Sequence, residues 1–390
     1  MTYRLGSSFL LSAFLLVACG DDEVIPDRPD AGGSDATDID AAPPSSRAVV
    51  VAGDFTAGTG IASTIEIPAL TVDSNVVAGV VSSDPVVKAF GDRVIVINRF
   101  NADNIVVLNT DDLSLVEQVS TGAGSNPQDA ARVNGKIYVA TYAGVGVSII
   151  DESDLAGGVA STIDLSANDP DNEPNCASIV SAGDFLFVSC QLLDSGTFLP
   201  RGPGIVVVID PSDDTVVDTL TLANNNPFSY LVATPAGGAF GGDILVSTVP
   251  DFASYSAGCI ERISTGATPT VGACLITNAT LGGYVSDLVV NGAELFATVT
   301  TCPGGDCFGG PTISAIARID SDGALAGKLT TTSSHPTDIA VCPTGELVVG
   351  DTDYADSPGV RVYAADATEL TSSPLDVGLP PAFTNAITCY

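Results

Sequence analysis

His335 is the only histidine in the 390-residue chain. An imidazole titrates near neutrality and can serve as a general base or a metal ligand. Its place directly before Pro336, at a junction between repeated units, equally fits a loop residue that caps the start of a strand, and that is the preferred reading. Asp129 and Asp338 each lie two residues after a proline, in Pro127-Gln128-Asp129 and Pro336-Thr337-Asp338; Asp287 and Asn385 fall at or near the matching position in two other units. Side-chain oxygens gathered in this way are the ligands of hard cations such as Ca2+. The structural alternative, favoured by the short reach of Asp, is a hydrogen bond to neighbouring backbone. Asp351-Thr352-Asp353-Tyr354-Ala355-Asp356 alternates carboxylates without the glycine and terminal glutamate of an EF-hand loop. No nucleophile elbow is present, so no residue is assigned as catalytic.

A repeat of about fifty residues must position these groups. In the clearest copy, Pro127 to Val133 is followed by the turn Asn134-Gly135. Then come Lys136 to Thr141, Val145 to Ile150 and Ser161 to Leu165. Four β-segments with an Asn-Gly hairpin between the first two make one antiparallel sheet. Further copies open at Pro85, Pro174, Pro227, Tyr284 and Pro336. Two fragments remain: Ala48 to Ala52, Ile61 to Ile67 and Val76 to Val81 read as second, third and fourth strands without a first. Asn385 to Cys389 reads as a first strand alone. Together they complete a seventh unit. The expected fold class is therefore all-β: a seven-bladed β-propeller of four-stranded antiparallel blades. Its ring is closed by pairing the C-terminal strand with the N-terminal three, which hides sheet edges. Abundant Val, Ile, Thr and Gly agree with this.

The hairpin Asp210-Pro211-Ser212-Asp213-Asp214-Thr215-Val216-Val217-Asp218-Thr219-Leu220 and the strand Ile137-Tyr138-Val139-Ala140-Thr141 resemble the YVTN-type repeats of YncE-like β-propellers. The resemblance covers most of residues 48–390. It implies the fold and leaves function open, because propellers host many activities. Long insertions in blades three to five and the cysteines depart from the repeat.

Export is read from the N-terminus. Arg4 precedes the apolar run Phe9 to Val17, too short for a stable membrane span and shaped like a signal peptide. Leu16-Val17-Ala18-Cys19-Gly20 resembles the motif read by bacterial lipoprotein-processing enzymes, which makes Cys19 the lipid-bearing, palmitate-carrying first residue. Two acyl chains suffice for lasting attachment. The expected domains are a signal peptide at 1–18, a lipid-anchored acidic linker at 19–47 and the propeller at 48–390. The linker is too polar to bury a core and should be extended. The expected location is the bacterial cell envelope, most plausibly the outer membrane.

Of nine cysteines, eight remain once Cys19 is set aside. In an exported chain they are expected as disulfides. Cys176 and Cys190 are equidistant from the turn Ala182-Gly183-Asp184. Cys259 and Cys274 flank Ser264-Thr265-Gly266, and Cys302 and Cys307 bracket Pro303-Gly304-Gly305-Asp306. Cys342 and Cys389 occupy matching positions on the first strands of adjacent blades, where a bond would lock ring closure. Zinc at Cys302 and Cys307 is the weaker alternative, as no second pair lies nearby.

The chain carries 13 basic and 47 acidic side chains, for a net charge of −34. Nucleic-acid binding needs clustered Lys and Arg and is disfavoured. The leading functional expectation is a monomeric, membrane-anchored binding or scaffold module for a protein or glycan partner, with no cofactor required and Ca2+ the one candidate ion. Insertions at 194–203, 250–258 and 300–311 would be the recognition loops, with Phe198, Phe252, Tyr255 and Phe308 as contact anchors. The alternative is a hydrolase or lyase, lactonase-like by resemblance, using a metal at the mouth of the central channel.

Overall fold

The structure, a computed structural model, describes residues 45–250, 256–304, 311–329, 335–353 and 357–390. Residues 44–390 form one compact unit. Its strands make seven antiparallel sheets arranged as the blades of a propeller. Blade 1 runs Pro85–Phe90, Arg93–Asn98, Asn104–Asn109 and Leu115–Ser120; blade 2 runs Pro127–Val133, Lys136–Thr141, Gly146–Asp151 and Val159–Asp164. Blade 3 follows from Cys176 to Asn225, blade 4 from Val232 to Thr277, blade 5 from Tyr284 to Lys328 and blade 6 from Pro336 to Tyr363. Blade 7 joins the chain ends. Ile387–Cys389 pairs with Ser46–Asp54, in the register Ala48↔Cys389, Val49↔Thr388 and Val50↔Ile387, and Thr59–Ile67 and Thr71–Asp73 complete the sheet.

Burial explains the strand pattern. Second strands such as Arg93–Asn98 are buried on both faces, because each blade packs against two neighbours. They therefore read as unbroken apolar runs rather than alternating ones. Outer strands such as Leu115–Ser120 are mostly exposed. The core lies between blades, not within them. Separate apolar clusters join blades 1 and 2, 2 and 3, 3 and 4, 4 and 5, and 5 and 6, and one large cluster joins 6, 7 and 1. In the hairpin of blade 2, Asn134 and Gly135 have φ of 54° and 73°. Left-handed conformations at both positions are what a two-residue type I′ turn requires.

Two strand assignments are corrected. The fourth strand of blade 7 is Thr71–Asp73, not Val76 to Val81. A tight turn, with Leu70 N–H donating to the Glu66 carbonyl at 2.7 Å, returns the chain at once. Val77 and Val81 instead go into the core joining blades 6, 7 and 1. Blade 6 has three strands, and isolated bridges Tyr363↔Glu369 and Val360↔Leu375 hold the place of a fourth.

Three disulfides have the expected partners: Cys176–Cys190, Cys259–Cys274 and Cys342–Cys389, with Cα separations of 3.9, 5.8 and 4.8 Å. Cys302 is disulfide-bonded. Cys307, like Cys19, Phe252, Tyr255 and Phe308, lies outside the described residues.

A candidate ligand-binding mouth at the central channel

The inner strands begin, and the second strands end, on the same face, as the pairings Pro85↔Asn98, Pro127↔Thr141, Tyr284↔Thr300 and Pro336↔Asp351 show. This face holds the mouth of the channel. Just inside it, polar side chains link each blade to the next. Asp129 Oδ2 accepts from Ser178 Oγ and from Ile179 N–H, both at 2.8 Å, while its Oδ1 takes Lys88 Nζ at 2.6 Å and Ala130 N–H at 2.8 Å. Ser178 Oγ in turn accepts from Leu231 N–H at 2.9 Å. Ser247 Oγ donates to the Val285 carbonyl at 2.7 Å. Asp287 Oδ2 accepts from Ile339 N–H at 2.9 Å and Asp338 Oδ2 from Ile387 N–H at 2.8 Å. The Asn385 carbonyl closes the circle by accepting from Val87 N–H at 2.8 Å.

The sequence-derived carboxylates thus sit together in the inner layer, each turned to the neighbouring blade. Asn385 joins them through its backbone; its Nδ2 is buried without a hydrogen-bond partner. Asp129 already has four donors on two oxygens. Among the described residues, no three His, Cys, Asp or Glu side chains form a group able to hold a metal ion. Asp351, from the alternating run, is buried and paired with Arg361 at 2.7 Å.

Asp287 and Asp338 are a special case. Both are almost completely buried, and the two carboxyl groups interact electrostatically. Asp338 Oδ1 meets no N–H or O–H donor. Burial pushes the Asp287 carboxyl up to about 6. Burial, reinforced by the nearby Asp287 charge, pushes Asp338 well above the usual carboxylate range.

Above this layer a plug crosses the channel. Tyr230 of blade 4 donates to the Gln128 carbonyl of blade 2 at 3.1 Å, and the Lys88 ammonium lies 5.9 Å from the Tyr230 ring centroid. Arg99, at the end of a second strand, donates to Asp84 at 2.6 Å and makes longer contacts to Gln128 and Tyr230 at 3.4 and 3.5 Å. Arg99 separates two depressions. One of about 340 Å³ is lined by Phe55, Asp84, Phe100, Asn126, Gln128 and Tyr142 as well as Arg99. The other, of about 390 Å³, spans blades 4 to 7.

That larger mouth cavity is walled by Phe228, Tyr284 and Phe383, by His335 and Pro336, by Arg99, and by seven Ser or Thr residues. Phe228 and Tyr284 pack edge to face with ring centroids 5.8 Å apart. Phe383 is 64% exposed. Thr300 Oγ1 and Ser314 Oγ are 2.9 Å apart. The His335 carbonyl accepts from Thr352 N–H at 3.1 Å, so its backbone does cap the start of the inner strand, while Nδ1 lies 3.9 Å from Asp353 Oδ2. A larger depression of about 490 Å³ on the opposite face is bordered by Arg132, but that guanidinium is already bound by Glu152 and Asp92.

Other exposed aromatics share the mouth face. Phe55, Phe100 and Phe198 project from loops between second and third strands, at 68%, 56% and 67% exposure. Phe198 is presented by a turn in which Asp194 accepts from the backbone N–H groups of Gly196, Thr197 and Phe198. Sequence reasoning found His335 and Phe198 but missed Arg99, Tyr230, Tyr284, Phe228 and Phe383. The one signal for Arg99 was its rarity, as one of 13 basic residues placed just past a buried strand.

No family model and no curated protein matches the sequence. Solved structures do match the fold. A Bacteroides uniformis protein proposed to be a 6-phosphogluconolactonase aligns with a TM-score of 0.59 at 14% identity, over 89% of this chain and 99% of that one. AztD from Citrobacter koseri aligns at 0.51 and 14% identity, over 89% and 98%. A catalytically inactive virginiamycin B lyase from Staphylococcus aureus, bound to quinupristin, aligns at 0.52 and 12%, over 77% and 87%. At such identities the likeness is one of fold.

Proposed function

We propose that this protein is a lipid-anchored, extracytoplasmic propeller of the bacterial envelope that binds a glycan at the mouth of its channel. The carrying observation is the wall of the 390 Å³ cavity, where aromatic rings and seven hydroxyl side chains converge from several blades. Its volume is in the range of small-ligand sites. Ring faces pack against the C–H surface of a sugar, and hydroxyls exchange hydrogen bonds with it, while the rigid ring holds both in place. The anchor is assigned to Cys19 from the motif around it, and kinship with YncE-like propellers from the repeat. The described chain enters the propeller near Ser46, beside Tyr390, on the face opposite the mouth. Screening the full-length protein on a glycan array tests the reading. Binding that drops at least ten-fold in Tyr284→Ala and Phe383→Ala supports it; an array without specific signal overturns it.

A hydrolase or lyase reading is favoured by one observation, the approach of His335 Nδ1 to Asp353 Oδ2 at 3.9 Å beside the cavity. A His–carboxylate pair is a common general-base arrangement. Turnover of a lactone or glycan that His335→Gln abolishes, with binding retained, would establish it.

A further inference from the structure

The mouth cavity differs in charge from the rest of the molecule. The chain has 47 carboxylate side chains against 13 Lys and Arg. Yet among the described residues lining this cavity there is no Asp or Glu, while Arg99 and His335 are both present. In so acidic a protein, a wall whose described lining residues carry no carboxylate is the local arrangement that admits a negative charge. Arg99 is positioned to receive one. Asp84 occupies its NH2 group at 2.6 Å, but NH1 makes only the long contacts of 3.4 and 3.5 Å. Its Nε is buried and without a hydrogen-bond partner among the described residues. A guanidinium has five N–H donors and can serve two anions at once. Thr337 Oγ1, on the same wall, is a second polar atom without a partner.

We propose that the mouth cavity selects an acidic saccharide, a uronate unit whose carboxylate pairs with Arg99 while its ring lies among Tyr284, Phe383 and the wall hydroxyls. This rests on the reading of the mouth as a glycan site and adds the charge of the ligand. Phe383 supplies exposed apolar surface at the rim. A carboxylate–guanidinium pair is charge-assisted and stronger than a neutral hydrogen bond.

The test is calorimetric titration of the full-length protein with digalacturonic acid and with galactobiose, its neutral counterpart, at one ionic strength. The expected result is at least ten-fold tighter binding of the acid. Arg99→Gln should abolish the difference in affinity between the acid and its neutral counterpart. Equal affinities in the wild-type chain, or acid selectivity that survives Arg99→Gln, overturn the acidic preference and leave the glycan reading standing. Failure of both ligands to bind overturns the two together. The wild-type comparison needs no variant, so a misfolded Arg99→Gln leaves the test decisive.

Discussion

The carboxyls of Asp338 and Asp287 interact inside the propeller, and each accepts a backbone N–H from the next blade. The pair joins blades 5, 6 and 7, the sector in which the ring is closed. A position that serves as an ordinary junction elsewhere becomes here a pair of interacting buried carboxyls, because two consecutive blades both carry Asp.

Stability should therefore depend on pH in an unusual direction. Both carboxyls have folded-state values above those of the unfolded chain, so the folded state binds more protons between about pH 4 and 6 and somewhat above. This contribution is fully present below that window and is lost as pH rises through it. Asp338→Asn can still accept from Ile387 N–H and can donate to Asp287 without a titrating proton. In urea unfolding it should match the wild type near pH 4 and exceed it at pH 8, by an amount on the order of a few kcal/mol. Identical wild-type and variant midpoints at pH 8 would show that the buried pair costs the fold nothing at that pH.

Lys88 should be costly to remove. Its ammonium is the one cation on Asp129, whose side chain has no solvent exposure. Lys88→Ala leaves a buried charge without its partner, and a loss of about 3 kcal/mol or more is expected. Lys88→Met combined with Asp129→Asn should recover part of that loss. A double-mutant cycle by chemical denaturation measures both, and additive effects would argue that the pair is uncoupled.

The Cys342–Cys389 bond spans 47 residues and ties the closing strand to blade 6. In the chain-entropy model such a loop contributes about 4 kcal/mol. Replacing both cysteines by serine should lower the urea midpoint under non-reducing conditions. A larger loss is expected than from the same change at Cys176 and Cys190, which close a shorter loop within one blade. Equal losses would mean that loop length is not the source of the stabilisation.

Cys19→Ala should move the protein from the membrane fraction to the soluble extracytoplasmic fraction and abolish labelling by radioactive palmitate. Persisting label in the variant would place the lipid elsewhere.

Much of the architecture was legible because the signals are local. Asn134-Gly135 sets a hairpin, and the hairpin sets the register of its two strands. Equal spacing from a turn therefore paired Cys176 with Cys190 before any fold was seen. Repetition carried the same logic to the chain ends, where Ile387–Cys389 completes the N-terminal sheet. Two edges escaped it, since Thr71–Asp73 and the bridges of Glu369 and Leu375 are outer pieces that bury little and so carry no apolar pattern. The mouth was mostly hidden for a different reason. Tyr230 reaches Gln128 across 102 residues, and Arg99 reaches Tyr230 across 131. Asp129 and Asp338 occupy the same place in their repeats, yet one is held by Lys88 and the other by a second carboxyl. Local spacing determines a strand, a turn and its register. The partner a side chain meets across the channel is decided by how all seven blades close, and that is a property of the ring alone.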